Sequence, residues 1–233
     1  MENEESSPQY LEAIAEVKKG KIMFLPEWGG WWYELADQLY VFTKDNEFVD
    51  TPHIHEYSGR TEWLTSDLSP EQMVRMIKGI RVSIDHVIKQ ATAGMSPSRE
   101  LSLVKTELQL ASMWFGYALH ELNMPNPYPE SYNPSSPVIE KHADLAEQPA
   151  YFQNEISSLD ETGKIKFLRK FIKCLINGFD WIVKYHIGMR RYKPMTVSGL
   201  LPPAGVTAVT HLFNGNLWLG QCLNNIRTES EKQ

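Results

Sequence analysis

Residues 96–123 carry the pattern that most restricts what this chain can become. Leu101, Val104, Leu108, Ala111, Phe115, Ala118, Leu119 and Leu122 recur at helical spacing, so one face is apolar for about seven turns. Ser96 or Ser98 supplies a cap at the start, and Asn123 followed by Pro125 supplies the stop. So long an apolar face has to be covered by other helices, so this stretch sets the architecture around it.

The stretch before it has the same character. Ser69 and Pro70 give an N-cap and first-turn signal, and Met73, Met76, Ile77, Ile80, Ile84, Val87 and Ile88 form a stripe down to Lys89. Residues 91–97 make a turn, so the two helices form an antiparallel αα-hairpin. A proline-rich stretch, 124–137, then reads as extended linker. Beyond it the hairpin recurs. At an offset of 95, Ile77, Lys78, Asp85 and Lys89 match Ile172, Lys173, Asp180 and Lys184. At an offset of 104, Thr106, Leu108, Trp114, Gly116 and Leu119 match Thr210, Leu212, Trp218, Gly220 and Leu223. The difference, 104 − 95 = 9, is an insertion in the second turn, within 186–206. Two stripes alone would share apolar positions by chance, whereas matching Lys, Asp, Thr, Trp and Gly argues for duplication. Neither hairpin can bury its face alone, so the expectation is a four-helix pseudo-dimer.

The first 66 residues differ. Ser7-Pro8 opens a helix with Leu11, Ile14 and Val17 on one face, closed by Lys18-Lys19-Gly20. Residues 21–25, 31–35, 39–43 and 61–64 read as strands rich in aromatic and β-branched side chains, with 26–30 as a turn. His53-Ile-His55 would place two imidazoles on one face of a strand, but the sequence supplies no third metal ligand, and an exposed pair is the plainer reading. The fold class expected is therefore α+β: a small N-terminal α+β unit (1–66), a first helical hairpin (67–123), a Pro-rich linker (124–150) and a second helical hairpin (151–233), the hairpins packed as a bundle.

Composition excludes several classes of function. A net charge of −6 argues against coating polymeric nucleic acid. Cys174 and Cys222 lack metal or CxxC spacing, as expected of unpaired thiols in a reducing compartment. The acidic opening Met1-Glu-Asn-Glu-Glu is unlike a signal peptide, and no apolar run reaches membrane-spanning length. Walker, GxGxxG, HExxH and GxSxG motifs are absent from the sequence, and the carboxylates are scattered. No catalytic residue, metal ligand or cofactor is expected.

Leu68-Ser-Pro-Glu-Gln72 and Lys105-Thr-Glu-Leu-Gln-Leu-Ala-Ser-Met113 resemble the helix start and returning helix of the phage anti-CBASS sponge family, the second type so named. The second copy keeps Val209-Thr-His-Leu212 and Gly215 without the lysine and glutamine. More loosely, Ala13, Val17, Gly20-Lys21, Trp28-Gly29-Gly30 and Glu62-Trp63-Leu64 resemble the Thoeris anti-defence sponge family, also the second type. That family usually carries a basic residue before the turn tryptophan, where this chain has Leu25-Pro26-Glu27. The resemblance implies a non-enzymatic phage sponge of the host cytoplasm that sequesters cyclic oligonucleotide second messengers, works as a homo-oligomer and touches no membrane. The alternatives are a structural or adaptor protein that uses the hairpins for oligomerisation, and a nucleotide-processing enzyme.

A cyclic dinucleotide presents two phosphates and two flat bases, so a binder needs cations or hydroxyls and aromatic faces. Lys78, Arg81, Arg99, Lys105 and Thr106 are the polar candidates, with Lys173 and Thr210 as the repeat's counterparts of Lys78 and Thr106. Trp63, Tyr57 or Trp114 would stack. Whether Lys78 or Arg81 is the helix cation stays open, although Ile176 in place of Arg81 favours Lys78.

Overall fold

The structure is a computed structural model that describes residues 6–49, 54–93, 95–121, 156, 158–187 and 203–230. Residues 124–150, expected as linker, and 188–202, within the expected insertion, lie outside the described residues. The fold is mixed α and β, with five α-helices and one five-stranded antiparallel sheet among the described residues. No helix among them is long and apolar enough to cross a membrane. The elements in order are α1 (Pro8–Val17), β1 (Ile22–Phe24), β2 (Trp31–Leu35), β3 (Gln38–Phe42), β4 (Phe48–Val49), a 3₁₀ turn (Ile54–Tyr57), β5 (Leu64–Ser66), α2 (Pro70–Ala93), α3 (Arg99–Glu121), α4 (Glu161–Ile182), continued by a π turn (Val183–Ile187), and α5 (Pro203–Ser230).

Local chemistry sets the helix starts. The Ser7 hydroxyl accepts from Tyr10 N at 3.1 Å, and Ser98 Oγ accepts from Leu101 N at 3.1 Å. Ser69 and Gln72 make a reciprocal capping box, Ser69 N donating to Gln72 Oε1 and Gln72 N to Ser69 Oγ. Asp160 Oδ1 accepts from Gly163 N at 2.7 Å to open α4.

The chain divides into two compact units, Met1–Met76 with Asn177–Gly199, and Ile77–Ile176 with Leu200–Gln233. This runs differently from the serial division read off the sequence, because α2 and α4 each contribute to both units. The first unit is built on the sheet, ordered β4-β3-β2-β1-β5. Its register sets Met23 opposite Trp32 and Trp32 opposite Val41, and these three share a core with Tyr10, Ala13, Val17 and Trp63. By the period of two, Tyr33, Tyr40 and Phe48 belong to the other face. Chain from 177–187 covers that face. The rings of Trp181 and Tyr33 lie 4.8 Å apart, and Asn177 Nδ2 donates to Tyr40 Oη at 2.7 Å. Gly178 leaves no room for a β-carbon, since one would run into the Phe48 ring. Gly20, at φ +94°, ends the turn after α1 and lies against the Tyr185 ring.

One expected strand is revised. The fourth is Leu64–Ser66, not 61–64, because Thr61 N and Arg60 are hydrogen-bonded to the Glu62 carboxylate, which holds that stretch in a turn. Ile54–Tyr57 is a 3₁₀ turn. His53 lies outside the described residues. β4 was missed: it is two residues long, too short for any alternation to register.

In the second unit α3 and α5 pack along each other in opposite directions. Ser98 lies against Cys222 at one end, and Glu107 and Leu108 meet His211, Asn214 and Gly215 in the middle. Leu101, Val104, Leu108, Ala111, Phe115, Ala118 and Leu119 are all buried, as the stripe requires. The solvent side of α3 carries Ser102, Thr106, Gln109, Met113 and Tyr117. Val206, Thr210, Phe213, Leu217 and Gln221 stand in the same relation on α5, each 104 residues later. Both cysteines are free and buried.

Candidate ligand-binding site

The candidate with the most unusual chemistry lies along α2. The capping box starts the helix, and Met76, Ile77, Ile80, Ile84 and Val87 bury its apolar side completely. Lys78, Arg81, Asp85 and Lys89 recur at i, i+3, i+7 and i+11, which puts them on one stripe beside it. Their exposures grade along the stripe. Lys78 and Asp85 are half-buried and Lys89 is exposed, while Arg81, at the border with the apolar side, is only 3% exposed. Ser83 and His86, on the same helix, are buried as well.

Burial governs the protonation of this stripe. The Asp85 carboxyl is pushed up to about 6, because desolvation outweighs the opposing pull of the Lys89 and Arg81 charges. Burial, with the Lys89 charge second, lowers the His86 imidazole, which favours its neutral form. Residues 78–89 thus combine a half-buried ammonium, a buried guanidinium and a carboxyl poised near neutrality. Perturbed groups of this kind gather at functional sites, where an anion can recruit the cations and a proton can relieve the carboxylate.

The other expected residues are placed as follows. Arg99 is exposed as the first residue of α3, Lys105 is half-buried, and Lys173 is exposed on α4. Thr106 and Thr210 are exposed, but each hydroxyl donates to its own helix: Thr106 to Ser102 O at 3.1 Å and Thr210 to Val206 O at 2.9 Å. Their hydroxyl hydrogens are engaged, so they offer acceptors where a phosphate needs donors. Trp63 belongs to the first unit and is 6% exposed; its ring meets Trp32 edge-on at 5.1 Å, and its Nε1 donates to Tyr57 O. That ring has no open face for a base. Tyr57 is half-buried near Trp32, and half-buried Trp114 leans on Tyr117 at 5.4 Å. The structure therefore brings Lys78 and Arg81 together on one stripe and sets Lys105 and Thr106 side by side on α3.

Two polar clusters escaped the sequence reading. Glu107 Oε2 lies 2.6 Å from His211 Nδ1 and accepts from Asn214 Nδ2 at 3.3 Å. Only the offset of 104, which equates positions 107 and 211, could have pointed to it. In the first unit Arg75 donates to Asn46 Oδ1, Gly29 O, Thr43 O and Lys44 O, and its guanidinium lies 5.2 Å from the Trp31 ring centre. It thereby holds the 28–30 turn, where Trp28 stacks on Trp32 at 4.1 Å. No family model, no curated protein and no solved structure matches this chain.

Proposed function

We propose that this protein is a non-catalytic binder that sequesters cyclic oligonucleotide second messengers, a phage anti-defence sponge acting in the host cytoplasm. The observation that carries this reading is the α2 stripe, where half-buried Lys78 and buried Arg81 lie one turn apart beside the raised carboxyl of Asp85. A shielded cation binds a phosphate more strongly than a hydrated one, and a guanidinium does so in a fixed geometry. The resemblance of residues 68–72 and 105–113 to the anti-CBASS sponges supports the same chemistry. The architecture that belongs to this proposal is two tandem αα-hairpins, α2–α3 and α4–α5, related by a pseudo-two-fold axis. Glu107 and His211 support it: they are repeat equivalents, 107 + 104 = 211, and they touch, as residues beside such an axis do.

The test begins with the intact protein and a panel of cyclic di- and trinucleotides. After excess ligand is removed, the protein is heated and the released material analysed. Intact ligand is the expected result. A cleaved product would make the protein an enzyme, and no uptake would favour an adaptor. Calorimetric titration of Lys78→Ala then locates the site. Losing one hydrogen bond to a charged group weakens binding by about 1.5–3 kcal/mol, with little change in melting. Unchanged affinity would move the site off α2.

A further inference from the structure

Between 162 and 179, α4 holds five cations, Lys164, Lys166, Arg169, Lys170 and Lys173, and no Asp or Glu, in a chain whose net charge is −6. Lys166, Arg169, Lys170 and Lys173 recur at i, i+3, i+4 and i+7, so they share one face of the helix. Neighbouring like charges on a helix repel, and this stripe has two such pairs at i,i+3 and two at i,i+4, with no carboxylate among them as relief. Lys166, Lys170 and Lys173 are exposed. Arg169 is half-buried and tethered. Its Nε donates to Asn216 Oδ1 at 3.0 Å, and its Cζ, Nη1 and Nη2 lie within 3.5 Å of where a β-carbon on Gly220 would be. A side chain at 220 longer than alanine's would compete for that seat. The Nε bond leaves both Nη groups, with four N–H donors, for another acceptor.

We propose that this stripe is a second anion site, separate from the one on α2, and that its ligand is an oligophosphate, a free or nucleoside-linked chain of adjacent phosphates. Three observations select that ligand. First, residues three and four apart on a helix stand about 5–6 Å from each other at Cβ, so four cations converge on one compact, highly charged anion. The phosphodiesters of a cyclic oligonucleotide carry one charge each and are held apart by sugars. Second, a guanidinium tethered through Nε offers its Nη fork in a fixed geometry, which suits phosphate oxygens, while the ammoniums at 166, 170 and 173 gather around it as point charges. Third, the full pattern belongs to the second copy alone. At the offset of 95 the first copy has Glu71, Val74 and Arg75 in place of Lys166, Arg169 and Lys170, and Lys78 for Lys173. At 104 it has Ser112 in place of Asn216 and keeps only the glycine, Gly116 for Gly220. Packing that both copies need would recur in both, so a charge pattern confined to one has another use. Polymeric nucleic acid fits less well, because the net charge of −6 repels it beyond the two-turn reach of the stripe. The proposal does not rest on the sponge reading, which places cyclic oligonucleotides on α2.

The experiment is calorimetric titration of the full chain with inorganic triphosphate and, in parallel, adenosine triphosphate. It is run at about 0.15 M ionic strength, where exposed charges more than about 8 Å apart are screened. One equivalent is expected to bind per chain. Arg169→Gln should weaken binding at least about tenfold, the scale of one hydrogen bond to a charged group. Lys166→Gln combined with Lys173→Gln should weaken it comparably. Asn216→Ala keeps every charge of the stripe but releases the guanidinium, so a severalfold loss there separates a built site from a diffuse positive field. Lys18→Gln, at an exposed lysine ending α1, and Lys78→Ala should change nothing. The double lysine variant replaces exposed side chains and keeps the wild-type melting temperature, so it decides the matter should Arg169→Gln or Asn216→Ala melt early. No uptake of either triphosphate, undiminished binding in the double lysine variant, or an equal loss in Lys18→Gln would overturn the proposal. So would displacement of triphosphate by a cyclic dinucleotide, which would make the stripe part of the cyclic-nucleotide site. Tighter binding of a single-stranded oligonucleotide through the same side chains would make the occupant a polymer, and the proposal fails.

Discussion

Asp85 lies under the influence of two cations, yet its carboxyl is pushed up to about 6 from an ordinary 3.8, because desolvation outweighs both charges. The folded state therefore holds a proton that the unfolded chain has released between about pH 4 and 6. Folding is most favourable, as far as this group matters, at the acid end. Stability falls as pH rises through that window, and the penalty is complete above about pH 6. With some discount for the water that still reaches the group, the penalty is about 2 kcal/mol. Asp85→Asn removes the ionisation, so it should stabilise by about 1–2 kcal/mol at pH 7.5 and not at pH 4. Urea titrations at the two pH values measure this. His86 is present in both proteins, so its own acid sensitivity cancels in the comparison. A gain equal at both pH values would show that burial of the charge is not the cause. In the sequence Asp85 and Lys89 show only the spacing of an i,i+4 pair, and burial, a tertiary quantity, is not written in it. Arg75 was invisible for the same reason: nothing in its neighbours announces the three carbonyl groups it serves.

The helices were the most legible elements, because their signals are local. The cap at Ser69 and the stripe of α3 from Leu101 to Leu119 appear where the sequence puts them, and of the two caps offered for α3 it is Ser98 that accepts from the helix; the answering bond to Gln72 was not read. The end of α4 is a different matter. Periodicity alone made it the first helix of a second hairpin, whereas 177–187 closes the second face of the sheet. The sign that it does so is Gly178, a residue that disfavours a helix interior by about 1 kcal/mol relative to alanine. Helix propensity alone predicts that Gly178→Ala stabilises. The packing predicts the reverse, because the added β-carbon would meet the Phe48 ring and come within 3.2 Å of Tyr33 Oη. Overpacking of this kind costs about 1–3 kcal/mol, so a net loss of stability in denaturant titration is expected. At the equivalent position the first copy has Ser83, which is buried at 2% exposure. A stabilised Gly178→Ala would mean that α4 does not press on the sheet.

At the scale of the molecule, the two compact units are interleaved in sequence, so a cut through the chain cannot respect them. The sheet unit draws its cover from residues more than a hundred positions beyond its last strand, and α3 draws its long partner from α5. Residues 1–150 therefore lose two covers at once. Tyr33, Tyr40 and Phe48 lose 177–187, and the stripe of α3 loses α5, although the first 150 residues hold every strand of the sheet. The duplication by itself already predicts that such a fragment associates, since one hairpin cannot bury its own stripe. The sheet adds a second reason, and it makes the expected failure specific. The fragment should bind a hydrophobic dye, unfold without a cooperative transition and run as aggregates. Adding residues 151–233 in trans should restore a cooperative melt, because that piece carries both missing covers. A fragment of 1–150 that stays monomeric and melts cooperatively would refute the interleaved packing. Recovery with a piece lacking 177–187 would refute the role of α4 in the sheet alone.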